Sequence, residues 1–294
     1  MRTRIVIASF IALFCSLPAS AADISTPLYK AAPAPVANWS GFYIGGNLGY
    51  GFGTHEMSQS AVTGPGALIL PSGTSIYGGA QAFDVDPRGF VGGGQIGYNW
   101  QFHPAWVFGI EADIQATDMK RSTGCVQTCN TATAVAPGFL PALFPVTITD
   151  NSFEQKLNWF GTVRGRLGYS NGPSLFYVTG GFAYGEVERN GSVSGTSSAF
   201  GLFNINSFSG SLNAKSTQTG WTLGGGIETV LSGAWTLKAE YLYVDLGSVT
   251  DTFNSTYQSS LIPGQTGQTA AVRTVTGDLN EHILRVGLNY SFGR

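Results

Sequence analysis

Charge is scarce in this chain of 294 residues: Asp, Glu, Lys and Arg together make up 11%, and the formal net charge is only -2. A soluble domain usually carries about 25% charged residues, so this surface is too poor in charge to be fully wetted. No basic run is present, which excludes a nucleic-acid reading, and the near-neutral balance leaves no general electrostatic steering. Beyond the N-terminal run, no segment is long and apolar enough for a membrane helix. A chain that crosses a membrane without helices must do so with closed strands.

Histidine and cysteine are equally rare, three of each. No Gly-x-Ser-x-Gly elbow and no metal-binding His/Glu spacing accompanies His55, His103 or His282. His103 beside Pro104 reads as a turn residue. His55 and His282 both approach one rim of the expected fold, near Asp84 and Asp86, which keeps a His/Asp dyad or an external haem ligand as a minor alternative. The glycine runs Gly92 to Gly94 and Gly224 to Gly226 sit mid-strand with no following helix, so they are packing glycines and not phosphate cradles. No cofactor and no catalytic residue is expected.

What is present begins with Met1-Arg-Thr-Arg4, an apolar run from Ile5 to Leu17 and the small-x-small triplet Ala19-Ser20-Ala21. This is a signal peptide over 1–21, its apolar run being shorter than the ~18 residues of a spanning helix. Cys15 follows the bulky Phe14, which disfavours a lipid-anchored N-terminus. Residues 22–38 form a Pro/Ala-rich tether, and 39–294 are expected to fold as the barrel. Of the cysteines, only Cys125 and Cys129 remain after processing. In an oxidising compartment a small disulfide is the favoured reading of that pair, with a metal pair as the alternative.

The terminal segment Glu281 to Phe292 shows the pattern that organises the chain. His282, Leu284, Val286, Leu288, Tyr290 and Phe292 share one face, and Glu281, Arg285, Asn289 and Ser291 the other. Seven further strands follow the same alternation, within about 41–53, 88–101, 106–117, 153–170, 174–188, 217–231 and 235–247; the fourth sets Leu157 and Trp159 on the apolar face, and the fifth is less clean, with Leu175 and Tyr177 falling opposite Phe176 and Val178. Their connections alternate long and short, the short ones at Phe102 to Ala105, Asn171-Gly-Pro173 and Ser232-Gly-Ala234. The expected fold is all-β: an eight-stranded antiparallel up-and-down transmembrane β-barrel with long external loops, short periplasmic turns and periplasmic termini. The long polar segments 54–87, 121–152, 189–216 and 248–280 are read as loops.

Two levels of aromatics are expected on the lipid face: Trp100, Trp106, Tyr169, Trp235 and Phe292 near the short turns, and Phe90, Trp159, Tyr184, Trp221 and Tyr243 roughly ten residues further along. The opposite face carries balanced charges, Glu111, Asp113, Glu228 and Glu240 against Arg164, Arg166, Lys238 and Arg285. An eight-stranded barrel is just wide enough to be filled by side chains, so these charges are expected to pair and plug the lumen. A wet conduction path is the alternative.

Several segments, among them Asn38-Trp-Ser-Gly-Phe-Tyr-Ile-Gly-Gly-Asn-Leu-Gly-Tyr-Gly-Phe-Gly53, Gly-Trp-Thr-Leu-Gly-Gly-Gly-Ile-Glu228 and Lys-Ala-Glu-Tyr-Leu-Tyr-Val-Asp-Leu-Gly247, resemble the small immunogenic outer-membrane porin-like β-barrel family of alphaproteobacteria, itself similar to the OmpA membrane domain. The resemblance covers the strands and not the long loops. It implies an integral protein of the Gram-negative outer membrane, a surface antigen linked to envelope integrity. The expected partners are outer-membrane lipid and lipopolysaccharide, the barrel-assembly machinery through the C-terminal strand, and host or surface ligands at the loops. One departure stands out: Gly293 and Arg294 follow Phe292, where such barrels normally end on the aromatic. A small-solute porin is the runner-up, and a membrane-embedded enzyme or haem-binding surface protein the third reading.

Overall fold

The computed structural model describes residues 38–53, 55–59, 81–133, 145–199, 203–259 and 271–293. The residues read from sequence as a signal peptide, and nearly all of those read as a tether, lie outside them. Every described element is a strand: β1 (Gly41–Gly53), β2 (His55–Gln59), β3 (Gln81–Val85), β4 (Arg88–His103), β5 (Trp106–Thr117), β6 (Lys120–Thr133), β7 (Pro145–Asn171), β8 (Ser174–Ala199), β9 (Phe203–Ser232), β10 (Trp235–Ser259) and β11 (Ala271–Ser291). Eight of them, in the order β1-β4-β5-β7-β8-β9-β10-β11, form a ring that closes through an antiparallel β1–β11 ladder from Tyr43↔Ser291 to Gly53↔Glu281. Closure satisfies the backbone donors and acceptors that an open sheet edge would expose.

The alternation read from the sequence sets which face is which. Along β11, Glu281, Ile283, Arg285, Gly287 and Asn289 are buried, and Leu284, Val286, Leu288 and Tyr290 are exposed. Leu48 is 76% exposed and Phe90 71%, values no water-facing core would tolerate in such number. The outward wall is apolar around the ring, and the polar face is inside.

Three tight turns join strands at one end, across His103↔Trp106, Asn171↔Ser174 and Ser232↔Trp235. Gly172 and Gly233 take φ of 64° and 54°, a region glycine enters without steric cost. At the other end the strands run on. β7, β8, β9 and β10 hold 27, 26, 30 and 25 residues, more than twice the ~9–11 residues a tilted strand needs to cross a bilayer. The segments 121–152, 189–216 and 248–280, read from sequence as loops, therefore carry much strand. Their Ser, Thr and Asn side chains pair as well in a wetted ladder as in a loop, and composition alone did not separate the two. β6 continues the position of β5 along the edge of β7, and the small β2–β3 hairpin attaches to β11 beyond the end of β1.

Facing departs from simple alternation in β7. A register shift between Leu157 and Trp159 inverts the pattern, so Leu157, expected to point outward with Trp159, is buried inside. β-Bulges do this by inserting one residue on a single strand.

Candidate functional site: the barrel interior

Large inward side chains lie across the ladder from glycine. Tyr43 faces Gly97, Arg166 faces Gly109, Arg164 faces Gly181, Tyr177 faces Gly226, Lys238 faces Gly287 and Arg285 faces Gly49. A Cβ on Gly226 would stand 2.7 Å from the Tyr177 hydroxyl, and one on Gly109 would stand 2.9 Å from Arg166 Cγ. The glycines on the inner face are thus the space into which the network folds, the small-to-large pairing that a narrow barrel requires.

The eight charged residues singled out from the sequence all point into this interior and meet there. Glu111 contacts Arg164 Nη2 and receives Lys238 Nζ at 2.7 and 2.8 Å on its two oxygens. Arg164 also reaches Asp113 at 2.9 Å and Glu240 at 3.1 Å. Arg285 donates to Glu240 from Nε at 2.6 Å and to Asp113 from Nη2 at 2.9 Å. Arg166 pairs with Glu228 at 2.8 Å, and Glu228 additionally accepts from Thr236 at 2.6 Å and Asn289 at 2.9 Å. Four carboxylates face four cations, and none of these side chains is more than 3% exposed. Buried at this depth, an uncompensated charge costs several kcal/mol, so the balance is a condition of folding.

Two tyrosines complete the network and were missed from the sequence. Tyr43 donates to Glu111 at 2.7 Å, and Tyr177 donates to Glu240 at 3.0 Å. The Arg166 guanidinium lies 4.2 Å from the centre of the Tyr177 ring. The signal was the anomaly in the fifth predicted strand, where Leu175 and Tyr177 fall opposite Phe176 and Val178; the structure buries the first two and exposes the second two. A chain of amides, Asn47 to Gln95 to Asn289 at 2.6 Å each, links β1, β4 and β11 above them.

Apolar layers lie on both sides of the charges. At the turn end Trp39, Val107 and Leu175 form one cluster, with Trp39 Nε1 donating to Ser170 at 3.0 Å. Toward the extended end, Met119, Leu157, Phe160, Val187, Leu242, Leu246 and Ile283 belong to a larger one. Sequence reading passed over this layer because both faces are apolar there: Tyr241 and Tyr243 point out, and Leu242 and Val244 point in.

Most of the aromatics expected at the two levels make ring contacts on the outward wall. Trp106 packs on Tyr169 and Trp235 on Tyr290 at the turn end, and Tyr290 also meets Phe292. Trp159 packs on Tyr184 and Trp221 on Tyr243 at the other level, where Phe90 meets Tyr50. Trp100 stands near Phe102.

His282 stacks on Phe52 and shares a 2.7 Å hydrogen bond with the Tyr241 hydroxyl, on the outward face. His103 Nδ1 accepts from the Ala105 amide within its turn. The side chains of His55 and Asp84 lie outside the described residues, and Asp86 stands 4.0 Å from Arg88. Among the described residues no cluster of three His, Cys, Asp or Glu suits a metal. The side chains of Cys125 and Cys129 also lie outside the description, although the backbone of β6 there is paired or bulged against β7.

Comparison with known proteins gives a consistent family. Residues 9–292 match the family described as outer membrane protein beta-barrel domain. The 31 kDa outer-membrane immunogenic protein of Brucella melitensis is 35% identical, with 98% of this chain and 99% of that one covered. The 22 kDa outer membrane protein of Rhizobium leguminosarum is 27% identical, covering 73% of this chain and 67% of that one. Among solved structures, OprG from Pseudomonas aeruginosa aligns over 87% of this chain and 97% of that chain at 13% identity, with a TM-score of 0.38.

Proposed function

Because the chain belongs to the outer-membrane β-barrel family and is an integral outer-membrane protein in contact with lipid, we propose that it works as a sealed structural barrel. In this reading its turn end and tether face the periplasm, and its extended strands form an antigen-like external surface. The observation that carries the proposal is the continuous occupation of the interior. Trp39, Val107 and Leu175 lie at one end, the eight-charge network in the middle, and Phe160, Leu242 and Leu246 beyond it. A solute passing through would have to displace buried ion pairs and then an apolar layer, each at a cost of several kcal/mol.

The role is non-enzymatic. His282 is held in an aromatic cluster on the lipid face, and the Brucella relative is named as an outer-membrane immunogenic protein. Lipopolysaccharide is the proposed lipid partner of the outer leaflet, and the assembly machinery is proposed to read the C-terminal strand. Phe292 is the aromatic at its end, its amide donating to Phe42 O at 2.8 Å. Liposome swelling with the refolded protein tests the sealed barrel: the expected swelling rate for small sugars equals that of empty liposomes, and a size-dependent increase overturns the proposal.

A further inference from the structure

Arg88, Lys120 and Lys156 stand on three successive strands as direct register partners, Arg88↔Lys120 and Lys120↔Lys156. All three leave the outward face: Arg88 and Lys120 are exposed and Lys156 is half-buried, while Gly89, Met119 and Gln155 beside them point in. Strands lie ~4.8 Å apart, so three cations fall within ~10 Å, with no carboxylate in the register row itself. Like charges placed directly opposite repel, so the row invites an anion.

The carboxylates around the row reach its two ends and leave Lys120 at its centre without one. Asp118 accepts from the Phe90 amide at 2.5 Å. Glu188, the register partner of Lys156 on β8, accepts from Asn158 at 3.2 Å and from Asn190 at 3.3 Å. Asp86 forms a long ion pair with Arg88 at 4.0 Å at one end of the row, and Glu154 lies further along β7, opposite Ser122 and Asn190. Among the described residues Lys120 and Lys156 form no ion pair within 4.0 Å.

Depth selects the anion. Arg88 lies two residues beyond Phe90, and Lys156 three beyond Trp159, both aromatics of the outer level. Interfacial aromatics mark the boundary between hydrocarbon and head groups, so the cations stand at head-group height. Beneath them the wall is apolar, with Phe90, Ile114 and Val163 exposed at 71%, 59% and 54%. We propose that Arg88, Lys120 and Lys156 seat the phosphate of a phosphorylated glycolipid whose acyl chains lie against that wall. This rests on the lipopolysaccharide contact proposed above and assigns it a place.

The test is native mass spectrometry of the refolded full barrel released from detergent micelles, offered bisphosphorylated lipid A and the same lipid with its phosphates removed. Wild-type protein retains the phosphorylated form preferentially. The triple variant Arg88→Gln, Lys120→Gln, Lys156→Gln loses at least about tenfold of that retention and keeps its retention of the dephosphorylated lipid. Lys120→Arg with Lys156→Arg keeps binding, and so does Lys215→Gln, whose lysine is paired with Glu186 at 3.0 Å. Folding of each variant is read from its heat-dependent gel mobility. Undiminished retention by the folded triple variant, or equal loss in Lys215→Gln, overturns the assigned row. A wild-type protein that does not distinguish the two lipids overturns the lipopolysaccharide contact itself.

Discussion

Lys238 Nζ lies 2.7 Å from one oxygen of Glu111 and 2.8 Å from the other, although β10 and β5 stand on opposite sides of the eight-strand ring. The pair therefore spans the lumen, and the barrel is braced across its bore as well as around its circumference.

Removing one partner of that brace leaves a buried carboxylate short of its cation. Lys238→Met is expected to lower the unfolding free energy by about 3–5 kcal/mol, and the double variant Lys238→Met, Glu111→Gln by clearly less than the two single losses combined. Urea titration of the refolded protein in small liposomes measures both; additive losses would show that the two groups do not interact.

Inner glycines are expected to differ sharply from outer ones. Gly226→Ala drives a methyl to 2.7 Å from the Tyr177 hydroxyl and costs about 1–3 kcal/mol. Gly165→Ala, whose nearest neighbour is Gly180 O at 3.9 Å, is expected to be close to neutral. The same urea titration ranks them, and equal effects would remove the space-filling role of the inner glycines.

The outward wall predicts its own asymmetry. Leu48→Arg, at a position 76% exposed, is expected to destabilise the folded barrel in bilayers by about 2–4 kcal/mol, the cost of a cation near the bilayer midplane. Single cysteines at Leu284, Val286 and Leu288 are expected to resist a water-soluble thiol reagent in liposomes, while one at Thr217 on the exposed extension of β9 reacts. Rapid labelling at all four positions would contradict a lipid-facing wall.

Phe160 is fully buried in the larger apolar layer. Phe160→Ala is expected to cost about 3–5 kcal/mol yet leave the bore closed, because the ion network beneath is untouched. Planar-bilayer recording and urea titration of the same preparation check the two halves; sustained openings would place the seal in the apolar layer alone.

How much of this was legible in the sequence depends on where one face is polar and the other apolar. In the region that crosses the membrane the contrast is strong, so the facing of Arg164 and Arg166 against Val163 and Leu167 was readable directly. Above it the contrast fades. Leu242 and Val244 alternate with Tyr241 and Tyr243, and no period separates an inner apolar layer from an outer one. Leu157 was misplaced because a bulge shifts the parity of everything beyond it, and a bulge leaves no fixed residue signature. Segments such as 189–216 looked like loops because Ser, Gly and Asn are turn-formers in isolation; their pairing along β8 and β9 comes from ladders already started below. Tyr177 joined the network through the same parity that made its strand look irregular.

Tyr43 meets Ser291 in the ladder that shuts the ring, so partners nearly the whole polypeptide apart must find each other before it closes. Until they do, both flanking strands present raw hydrogen-bonding margins above a greasy exterior, in an aqueous compartment where neither is tolerated. The seam is consequently sealed only when residues 281–291, at the far end of the sequence, have taken their place beside β1.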